Sequence, residues 1–467
     1  MIEFTEITLE SETILRRYYA ACRYRLSDYS AGLKLMWRKR WGISHAEACG
    51  CLVIKNQWNN GGIAFDYPVP LPDAGDVDGA LEEIDRWCRA KGIPPAFVNV
   101  PEEERWHLAE RYPFVTIRSP RLWQDYLYRR EDLTELAGRH YAGQRNHINK
   151  FTRLYPTAQF RILTAADKER IEAFWQEFDR GFQKKDALAQ EELAYAKEMM
   201  TRLDADWVKA GGMELEGRLI ALAMGEVCGQ TLICHIEKGL VGYEGVYPTL
   251  TRAFNRAFGQ DCLWVNREDD AGDIGLRTSK LQYLPACMGG KIGIEAKNEL
   301  TELEKIPTLT SERLTLDELG EQDREVYQRL CLDDDRNRWW GYDYRTDLQG
   351  ELTEGYFLAV ARCDFDRRLA VNFAVRLDGV FIGEAVLYDF DYRGSAELGC
   401  RILPEYARHG YRAEAFRCVA EWSLYRLGLR RLRAKCCREN QPSYRMLSAC
   451  MCPAGEDEQF YYFEKRV

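Results

Sequence analysis

The chain has 467 residues, 46% of them hydrophobic and 30% charged, with a formal net charge of −9. This length predicts three domains, at about 100–200 residues for each. No stretch approaches the ~18–20 apolar residues of a transmembrane helix, which argues against an integral membrane protein. The negative net charge argues against binding to nucleic acid or anionic lipid through overall charge, so any such contact needs a local basic patch.

The N-terminal sequence and the cysteines exclude further classes. Residues 1–6 are acidic and lack the basic and then apolar layout of a signal peptide, so we expect a cytoplasmic protein. The sixteen cysteines include no Cys-x-x-Cys pair, and the six histidines show no His-x-x-x-His spacing. We therefore expect no metal site.

Residues 1–155 alternate between short helices and strands and form the first predicted domain. Apolar residues at helical spacing predict a helix at 76–88, and 96–100 predicts the strand that follows it. A basic segment runs from Arg139 to Arg153 and includes Arg145 and Lys150. It is the candidate patch for a tRNA, although a helix with a basic solvent face explains it equally well.

Residues 156–296 repeat that layout and form the second predicted domain. The same reading predicts helices at 165–182, 190–203 and 247–257, and strands at 212–215, 219–227 and 231–237. A polar glycine-containing turn at 215–219 indicates a hairpin between the first two strands.

The segment 262–280 combines a predicted strand end with a dense group of charges. An apolar run at 262–265 is followed by Asn266-Arg267-Glu268-Asp269-Asp270, two glycines, and Arg277 and Lys280 three residues apart. This order predicts exposed polar side chains at the edge of a sheet, forming a ligand site. A solvated turn followed by a capped helix is the alternative.

A charged segment at 297–312 is the predicted linker to a third domain, 313–467. The elements predicted there are strands at 356–361, 369–377, 380–388, 396–403, 431–437 and 460–465, with helices at 413–427 and 441–450.

Three consecutive aspartates, Asp333–Asp335, stand close to four aromatic residues in the segment Asp333–Tyr344. The segment favours a loop that binds a cationic substrate, and a helix end at a domain interface is the alternative.

The motif from Asn266 to Lys280 resembles the signature of the phosphatidylglycerol lysyltransferase C-terminal domain family. Three further motifs fit in order: residues 126–133, residues 144–151, and residues 235–238 with 245–247. The resemblance covers roughly residues 1–295. It implies two GNAT-like acyltransferase folds in tandem, and well-known family members move an aminoacyl group from a tRNA to a membrane lipid.

The element order after residue 313 resembles a GNAT acetyltransferase of the ribosomal-protein N-acetyltransferase branch. The expected fold class is therefore α/β, in the sense of α+β mixed sheets, with three GNAT-like acyl-CoA N-acyltransferase folds.

The family resemblance implies roles for several residues. Glu268 and Asp270 are the expected catalytic carboxylates, suited to an aminoacyl ammonium. Arg277 and Lys280 suit a phosphate of the tRNA or the acceptor. The full set of expected substrate-binding residues is Arg145, Glu237, Asn266, Arg277 and Lys280.

The GNAT resemblance implies acetyl-CoA or another acyl-CoA on the third domain, at the start of its central helix. Two positions depart from the family pattern, because Ala407 replaces a Gln or Arg and Arg412 replaces a small residue. Glu397 is the candidate base and Tyr444 the candidate acid, and a solvent-facing strand residue is the alternative for Glu397. Asn440 equally suits a helix N-cap. The expected cofactor-binding residues are Arg408, Gly410, Tyr411, Arg412, Asn440 and Ser443.

These expectations favour an enzyme that moves an aminoacyl or acyl group to an amine or hydroxyl acceptor. The expected donor is an aminoacyl-tRNA, and the acceptor is a small molecule, a lipid or a peptide amine. One alternative is a CoA-dependent N-acetyltransferase acting through the third domain. Another is a ligand-binding protein without catalysis.

Overall fold

Three mixed β-sheets with helices packed on them form the framework of the protein. The computed structural model describes residues 2–20, 22–182, 187–340, 345, 348 and 350–467. The expected α/β class with mixed sheets is confirmed.

The first sheet has the strand order β1-β2-β3-β4-β6-β15-β7, with β5 paired to β3. The strand between β6 and β7 is β15 (Lys291–Lys297), which returns from a later part of the chain. The elements from the N-terminus are β1 Thr5–Glu6, α1 Glu12–Tyr19, α2 Ala31–Trp37, β2 Ser44–Ala48, β3 Cys51–Gln57, β4 Ile63–Phe65, β5 Val69–Pro70, α3 Val77–Lys91, β6 Ala96–Pro101, α4 Arg105–Arg111 and β7 Phe114–Arg118.

The second sheet has the order β14-β8-β13-β12-β11-β10-β9. It begins at residue 125, so the predicted domain boundary at 155 does not coincide with the change of sheet. Its elements, followed by the returning strand, are β8 Asp125–Arg129, α5 Arg130–Glu135, α6 Ala142–Leu154, β9 Gln159–Ile162, α7 Lys168–Gly181, α8 Ala187–Met199, β10 Lys209–Leu215, β11 Arg218–Cys228, β12 Thr231–Gly239, α9 Val246–Phe258, β13 Trp264–Asn266, α10 Ile274–Leu281, β14 Cys287–Gly289 and β15 Lys291–Lys297.

The third sheet has the order β16-β17-β18-β19-β20-β21-β23-β22. It takes in the end of the predicted linker as its edge strand. Its elements are β16 Leu309–Thr310, β17 Leu314–Glu318, α11 Arg324–Leu332, α12 Asp334–Asn337, α13 Tyr356–Asp366, β18 Val371–Leu377, β19 Val380–Tyr388, β20 Ser395–Ile402, α14 Tyr411–Tyr425, β21 Arg431–Cys437, α15 Gln441–Cys450, β22 Cys452–Glu456 and β23 Phe460–Arg466.

The chain divides into two compact units. One contains Met1–Cys88, Pro95–Trp106 and Ile117–Glu295, and the other contains Arg89–Pro94, His107–Thr116 and Ala296–Val467. Within the described ranges, the helices are too short or too polar to cross a lipid bilayer.

One predicted element in the third sheet is wrong. The apolar run 356–361 is the first part of helix α13, not a strand. Gly355 precedes it in the left-handed conformation, at φ 86°, which suits the start of a helix after a sharp turn. The buried residues Phe357, Leu358 and Ala361 share one helical face and pack with Leu330 of α11. A short apolar run is compatible with either element, so the tertiary packing decides.

The second and third sheets share one local arrangement, a strand, a helix and a parallel strand. In the second sheet, β12 and β13 pair only over Thr231–Ile233 and Trp264–Asn266. In the third, β20 and β21 pair only over Ser395–Glu397 and Arg431–Arg433. The first strand of each pair continues beyond the pairing, so each sheet opens at this point.

A β-bulge in β12 lies directly beyond the paired residues. Gly225 of β11 pairs with Cys234, and Met224 pairs with Ile236, so His235 is the extra residue. A Cβ atom on Gly225 would lie 2.1 Å from the carbonyl oxygen of Ile233. The close approach of two backbones at the bulge therefore requires glycine at this position.

We expect Gly225→Ala to destabilise the protein by about 2 kcal/mol or more, because backbone atoms must shift to admit the methyl group. The matched control is Gly143→Ala in α6, where a Cβ would meet nothing within 4 Å. That change should be neutral or stabilising, by up to about 1 kcal/mol. Urea denaturation compares the two variants, and equal stabilities would contradict the role of the close approach.

Candidate functional site

The opening between β12 and β13 collects most of the charged residues that the sequence singles out. β13 ends at Asn266, and the segment Arg267–Asp270 parts from β12 there, while Arg267 and Glu268 still exchange backbone hydrogen bonds with Tyr126 of β8. The bulge at His235 lets His235 and Glu237 face opposite sides of the sheet. The consecutive residues Arg267 and Glu268 therefore each contact one residue of β12, on opposite sides of the sheet.

On the side of the sheet covered by α9, Glu237 binds Arg267. Its Oε2 atom accepts hydrogen bonds from Nε and Nη2 of Arg267 at 3.0 and 2.5 Å, and its Oε1 accepts one from the Thr251 hydroxyl at 2.8 Å. The Arg267 guanidinium also lies 4.6 Å from the ring centre of Tyr283. Although burial alone would lower it, the pKa of Arg267 is raised by the Glu237 carboxylate. Glu237 thus has an internal partner, and its expected contact with substrate stays a prediction.

On the opposite side, the His235 ring lies between two carboxylates. Its Nδ1 is 2.8 Å from Oε1 of Glu268 and its Nε2 is 2.9 Å from Oε1 of Glu226. The His235 side chain is 1% exposed, whereas that of Glu268 is 21% exposed. Burial alone would lower the pKa of His235, but the hydrogen bonds with Glu226 and Glu268 raise it to about 9.

Asn266 and Lys280 hold the turn that follows β13. The Asn266 side chain accepts from the backbone N–H of Glu268 at 2.6 Å and donates to Asp125 at 2.7 Å. The Lys280 ammonium donates to the carbonyl oxygens of Arg267, Glu268 and Asp269. Burial lowers the pKa of Lys280. Both residues fix the backbone of the turn, and their expected role in substrate binding stays a prediction.

The expectation that Asp270 and Arg277 are freely exposed is wrong for Asp270. The Asp270 side chain is 0% exposed and accepts hydrogen bonds from Tyr126 at 2.7 Å and from Nε of Arg277 at 2.9 Å. Although burial alone would raise it, these bonds and one from the Gly272 N–H lower the pKa of Asp270 to about 2. Its oxygen atoms are occupied by protein donors, so it ties α10 to β8.

Asp269 is the carboxylate that the sequence analysis missed. Its side chain is 33% exposed, and its Oδ2 lies 3.8 Å from the Lys291 ammonium. Burial beside the Asp125 carboxylate raises the pKa of Asp269 to about 6. Lys291 itself is buried against Asp28 and Asp125. The sequence signal for Asp269 was its place directly after Glu268, at the point where the strand ends.

The basic segment on α6 is partly used inside the fold. Arg145 donates to the carbonyl oxygens of Leu136 and Gly138, and so holds the loop after α5. The Lys150 ammonium lies 2.7 Å from the Glu244 carboxylate. These contacts reduce the charge available to a phosphate, and the proposed role of the segment in tRNA binding stays a prediction.

In the third sheet, helix α14 starts beside the opening between β20 and β21. Gly410 precedes it in the left-handed conformation, at φ 83°. The atom nearest to a Cβ built on Gly410 is Nη2 of Arg313, at 3.5 Å. The corresponding Gly245 before α9 has the same conformation, but a Cβ there would lie 2.4 Å from the His147 carbonyl. The backbone at His147 therefore covers the start of α9, whereas the start of α14 is less crowded.

The residues expected to hold CoA lie around the start of α14. Arg412 donates to the Ser443 hydroxyl at 3.2 Å, which links α14 to α15. Asn440 is the N-cap of α15 and accepts from the Ser443 N–H at 3.2 Å. Arg408 is exposed in the preceding loop, and Tyr411 opens the helix under the guanidinium of Arg313.

Glu397 lies in β20, where the pairing with β21 ends, and its side chain is 8% exposed. The solvent-facing alternative is therefore wrong. Its carboxylate accepts from the Tyr388 hydroxyl and lies 3.5 Å from the Lys435 ammonium. The Tyr444 ring packs on Tyr461, with ring centres 4.7 Å apart. The structure does not bring Tyr444 and Glu397 into contact through any described hydrogen bond.

The predicted cation-binding loop Asp333–Tyr344 is described only in part, because Gly341–Tyr344 lie outside the described residues. Asp333 caps α12 by accepting from the Arg336 N–H at 3.1 Å. The Trp340 ring lies over Gly399 of β20 and stacks with the Arg401 guanidinium at 4.5 Å. The described part thus packs on the strand beside the opening, and its role in substrate binding stays a prediction.

Comparison with protein families gives two matches along the chain. Residues 20–289, more than half of the chain, match the family described as phosphatidylglycerol lysyltransferase, C-terminal. Residues 313–450 match the acetyltransferase (GNAT) domain. A curated relative, the uncharacterized N-acetyltransferase YnaD of Bacillus subtilis, is 33% identical over 73 residues, which are 16% of this chain. The chain spans 43% of the length of that relative.

Solved structures resemble the chain over longer stretches. A conserved protein of unknown function from Bacteroides thetaiotaomicron is 25% identical, covers 64% of this chain and 100% of its own, and has a TM-score of 0.58. The C-terminal domain of a protein named as a lysylphosphatidylglycerol synthetase from Agrobacterium fabrum is 13% identical, covers 62% of this chain and 91% of its own, and has a TM-score of 0.43. The first similarity, with a TM-score above 0.5, shows a shared fold over the matched length.

The two neighbouring aspartates should respond differently to neutralisation. We expect Asp270→Asn to destabilise the protein at pH 7 by about 2 kcal/mol or more, because Arg277 and Tyr126 lose a buried anion. This loss should shrink as the pH falls from 4 towards 2, since the lowered pKa of Asp270 gives stability only while the carboxyl is ionised.

Asp269→Asn is the matched control. Because the pKa of Asp269 is raised, the wild type loses stability relative to this variant as the pH rises from 4 through 6. The variant should therefore be as stable as the wild type at pH 7, or more so. Urea denaturation at several pH values measures both effects, and a harmless Asp270→Asn would show that the buried contacts are unimportant.

Proposed function

Because the chain belongs to the phosphatidylglycerol lysyltransferase C-terminal family, we propose that it transfers an aminoacyl group from a tRNA to an amine or hydroxyl acceptor at the opening between β12 and β13. Its family matches, to that family and to the GNAT domain, place it among acyltransferases. The donor, the acceptor and a cytoplasmic location for the reaction are part of the proposal.

The observation that supports this site is the pair of adjacent, partly exposed carboxylates Glu268 and Asp269. Three nearby cations have closer partners than this pair, since Arg267 binds Glu237, Arg277 binds Asp270 and Lys291 binds Asp28 and Asp125. Glu268 is held by His235, and Asp269 lies 3.8 Å from Lys291. Glu268 and Asp269 are thus left at the edge of the sheet with capacity to bind a cation. The α-ammonium of an aminoacyl group is such a cation.

The two carboxylates would serve different purposes. Glu268, held by His235, would bind the aminoacyl ammonium. Asp269, with a pKa of about 6, would accept the proton of the attacking amine or hydroxyl, because a base is most effective when its pKa lies near the working pH. As the ester bond breaks, the proton would pass to the ribose oxygen of the leaving tRNA. Direct attack on the ester then needs no covalent enzyme intermediate, only correct placement of donor and acceptor.

Asp269→Asn should lower the rate of transfer by about 10²-fold or more while leaving the melting temperature unchanged or higher. The assay follows loss of radiolabelled amino acid from bulk aminoacyl-tRNA, with mass spectrometry of the acceptor product. In the wild type the rate should rise with pH through about 6, because the base must be ionised.

The control is Asp204→Asn, an exposed aspartate between α8 and β10. It should transfer at the wild-type rate. An Asp269→Asn enzyme as active as this control would refute the proposed base. Failure of the wild type to consume any aminoacyl-tRNA would refute the donor.

A second candidate function, CoA-dependent N-acetylation, rests on the more open start of α14. The GNAT-domain match implies acyl-CoA use. The residues present fit a pyrophosphate, since Gly410 leaves space and Arg412 adds a cation beside Ser443. Gly410, Tyr411, Arg412, Asn440 and Ser443 would hold it, with Arg408 close by. A bound acyl-CoA would supply a thioester as acyl donor, and Glu397 would accept a proton from the attacking amine.

Millimolar acetyl-CoA should raise the melting temperature of the full chain, because a ligand that binds the folded state stabilises it by mass action. Arg412→Ala should weaken CoA binding about 10-fold or more, through loss of a charge-assisted hydrogen bond. Arg417→Ala, an exposed residue on the same helix, is the control. Calorimetric titration measures both. An unchanged melting temperature would instead favour a domain that binds another ligand or none.

A further inference from the structure

The His235 ring nitrogens both face groups that ordinarily accept hydrogen bonds. A neutral imidazole has one donor and one acceptor, whereas an imidazolium has two donors. Nδ1 and Nε2 lie 2.8 and 2.9 Å from oxygen atoms of Glu268 and Glu226. With both carboxylates ionised, only an imidazolium satisfies the two contacts together.

The Glu226 carboxylate meets two further hydrogen-bond donors besides His235. The Oε1 atom that faces His235 also accepts from the Gly32 N–H at 2.5 Å, and the Cys228 thiol lies 3.6 Å from Oε2. Both neighbours are donors, so the carboxylate needs no proton of its own. The second carboxylate, Glu268, has Lys280 on its backbone carbonyl and Asp269 beside it in the chain. The raised pKa of His235 agrees with a proton on the ring.

The far end of this contact chain belongs to α2, which packs against the helices α1 and α8. Gly32 is the second residue of α2. A Cβ atom there would lie 2.5 Å from Nε2 of His235 and 2.7 Å from Oε1 of Glu226. The residue is therefore required to be glycine for a packing reason, although its backbone angles are ordinary. Helix α2 fixes the position of the Glu226 carboxylate through the Gly32 N–H. The carboxylate in turn fixes the orientation of the His235 ring.

The bulge explains why the ring reaches both carboxylates. His235 is the unpaired extra residue of β12, and Glu268 begins where β13 has no further pairing. A bulge re-aims a side chain, and such features concentrate beside active sites. The ring crosses the opening at the one place where the two strands no longer hold each other by backbone hydrogen bonds.

We infer that His235 is a positioning residue, charged at neutral pH, that fixes the Glu268 carboxylate at the opening and is anchored by Glu226 and by the Gly32 amide of α2. The role of Glu268 rests on the proposed aminoacyl transfer. The charge of the His235 ring and its connection to α2 are independent of that proposed function. The domain of the first sheet thereby contributes to the site by holding a side chain of the second.

The charge is tested without any substrate. The full chain, labelled with ¹⁵N-histidine, is studied by NMR from pH 6 to pH 9, and His235 is assigned by its absence in His235→Gln. We expect both ring nitrogens of His235 to carry protons at pH 7 and to lose one only near pH 9, well above the unperturbed histidine value of about 6.5. A neutral His235 ring at pH 7 would overturn the inference.

Positioning is tested by Gly32→Ala, which adds one methyl group and removes no functional group. Its matched control is Gly181→Ala, where a Cβ would lie 3.6 Å from the nearest atom, an ordinary contact. Gly32→Ala should lower kcat for transfer at least 10-fold with a smaller change in KM, while the control matches the wild type. His235→Gln, which keeps one donor, should retain more activity than His235→Ala.

The outcomes separate the two hypotheses. If the wild type transfers an aminoacyl group and Gly32→Ala is equally fast, the inference is overturned and the proposed function stands. If the wild type transfers nothing, the proposed function fails. The NMR spectra of wild type and Gly32→Ala then decide the inference, because displacement of Glu226 should shift the His235 resonances and bring the pH of deprotonation down by at least one unit.

Discussion

The separation of two parallel strands is the constraint on which the site depends. Where β12 and β13 part, their backbones no longer exchange hydrogen bonds, and the groups exposed there need other partners. Side chains supply them, as Lys280 binds three carbonyl oxygens of the segment Arg267–Asp270 and Asn266 binds its first free N–H. Two charged contacts then bridge the opening, Glu237 with Arg267 on one side of the sheet and His235 with Glu268 on the other.

Such buried ion pairs add little to the stability of the fold, but they fix the positions of the groups that they join. Removing a charged group from water costs several kcal/mol, and attraction between partners roughly offsets that cost. The net effect of such a pair is to fix the geometry, because separating the two partners leaves a buried ion without a counter-ion and strongly destabilises the fold. Lys291, bound to Asp28 and Asp125, ties strand β15 to two other segments in this way. The network thus allows few alternative arrangements of the turn that carries Glu268 and Asp269.

The sequence predicts the elements well where hydrophobic periodicity is strong. Strand β21 and helix α15 have the bounds that the pattern predicts. The pattern fails at Tyr356–Asp366, since a buried helix and a buried strand share an apolar start, and contact with α11 decides. Element order also places the charged cluster at a strand end, as predicted.

Burial within that cluster was beyond the sequence pattern. Asp269 and Asp270 are neighbours of the same residue type, yet Asp269 is partly exposed and Asp270 is buried. Tyr126, which is distant in the chain, donates a hydrogen bond to Asp270. The bulge that makes His235 an extra residue is equally invisible in the sequence, since it depends on register with β11. The local sequence pattern can therefore locate the charged cluster. Contacts with residues distant in the chain decide which of its members are buried and which stay exposed.

The second and third sheets combine the same arrangement with different surroundings at the start of the helix. Both have a left-handed glycine before the helix that follows the long strand, Gly245 and Gly410. Helix α6 lies against Gly245, so the start of α9 is closed to a phosphate, and charged side chains bridge the opening beside it. Around Gly410 no backbone approaches so closely, and the Arg412 side chain lies nearby. An anionic cofactor needs the uncovered helix start, whereas an ammonium needs carboxylates at the strand end. Under the two proposed functions, the packing of the single helix α6 would decide which class of donor each sheet can bind.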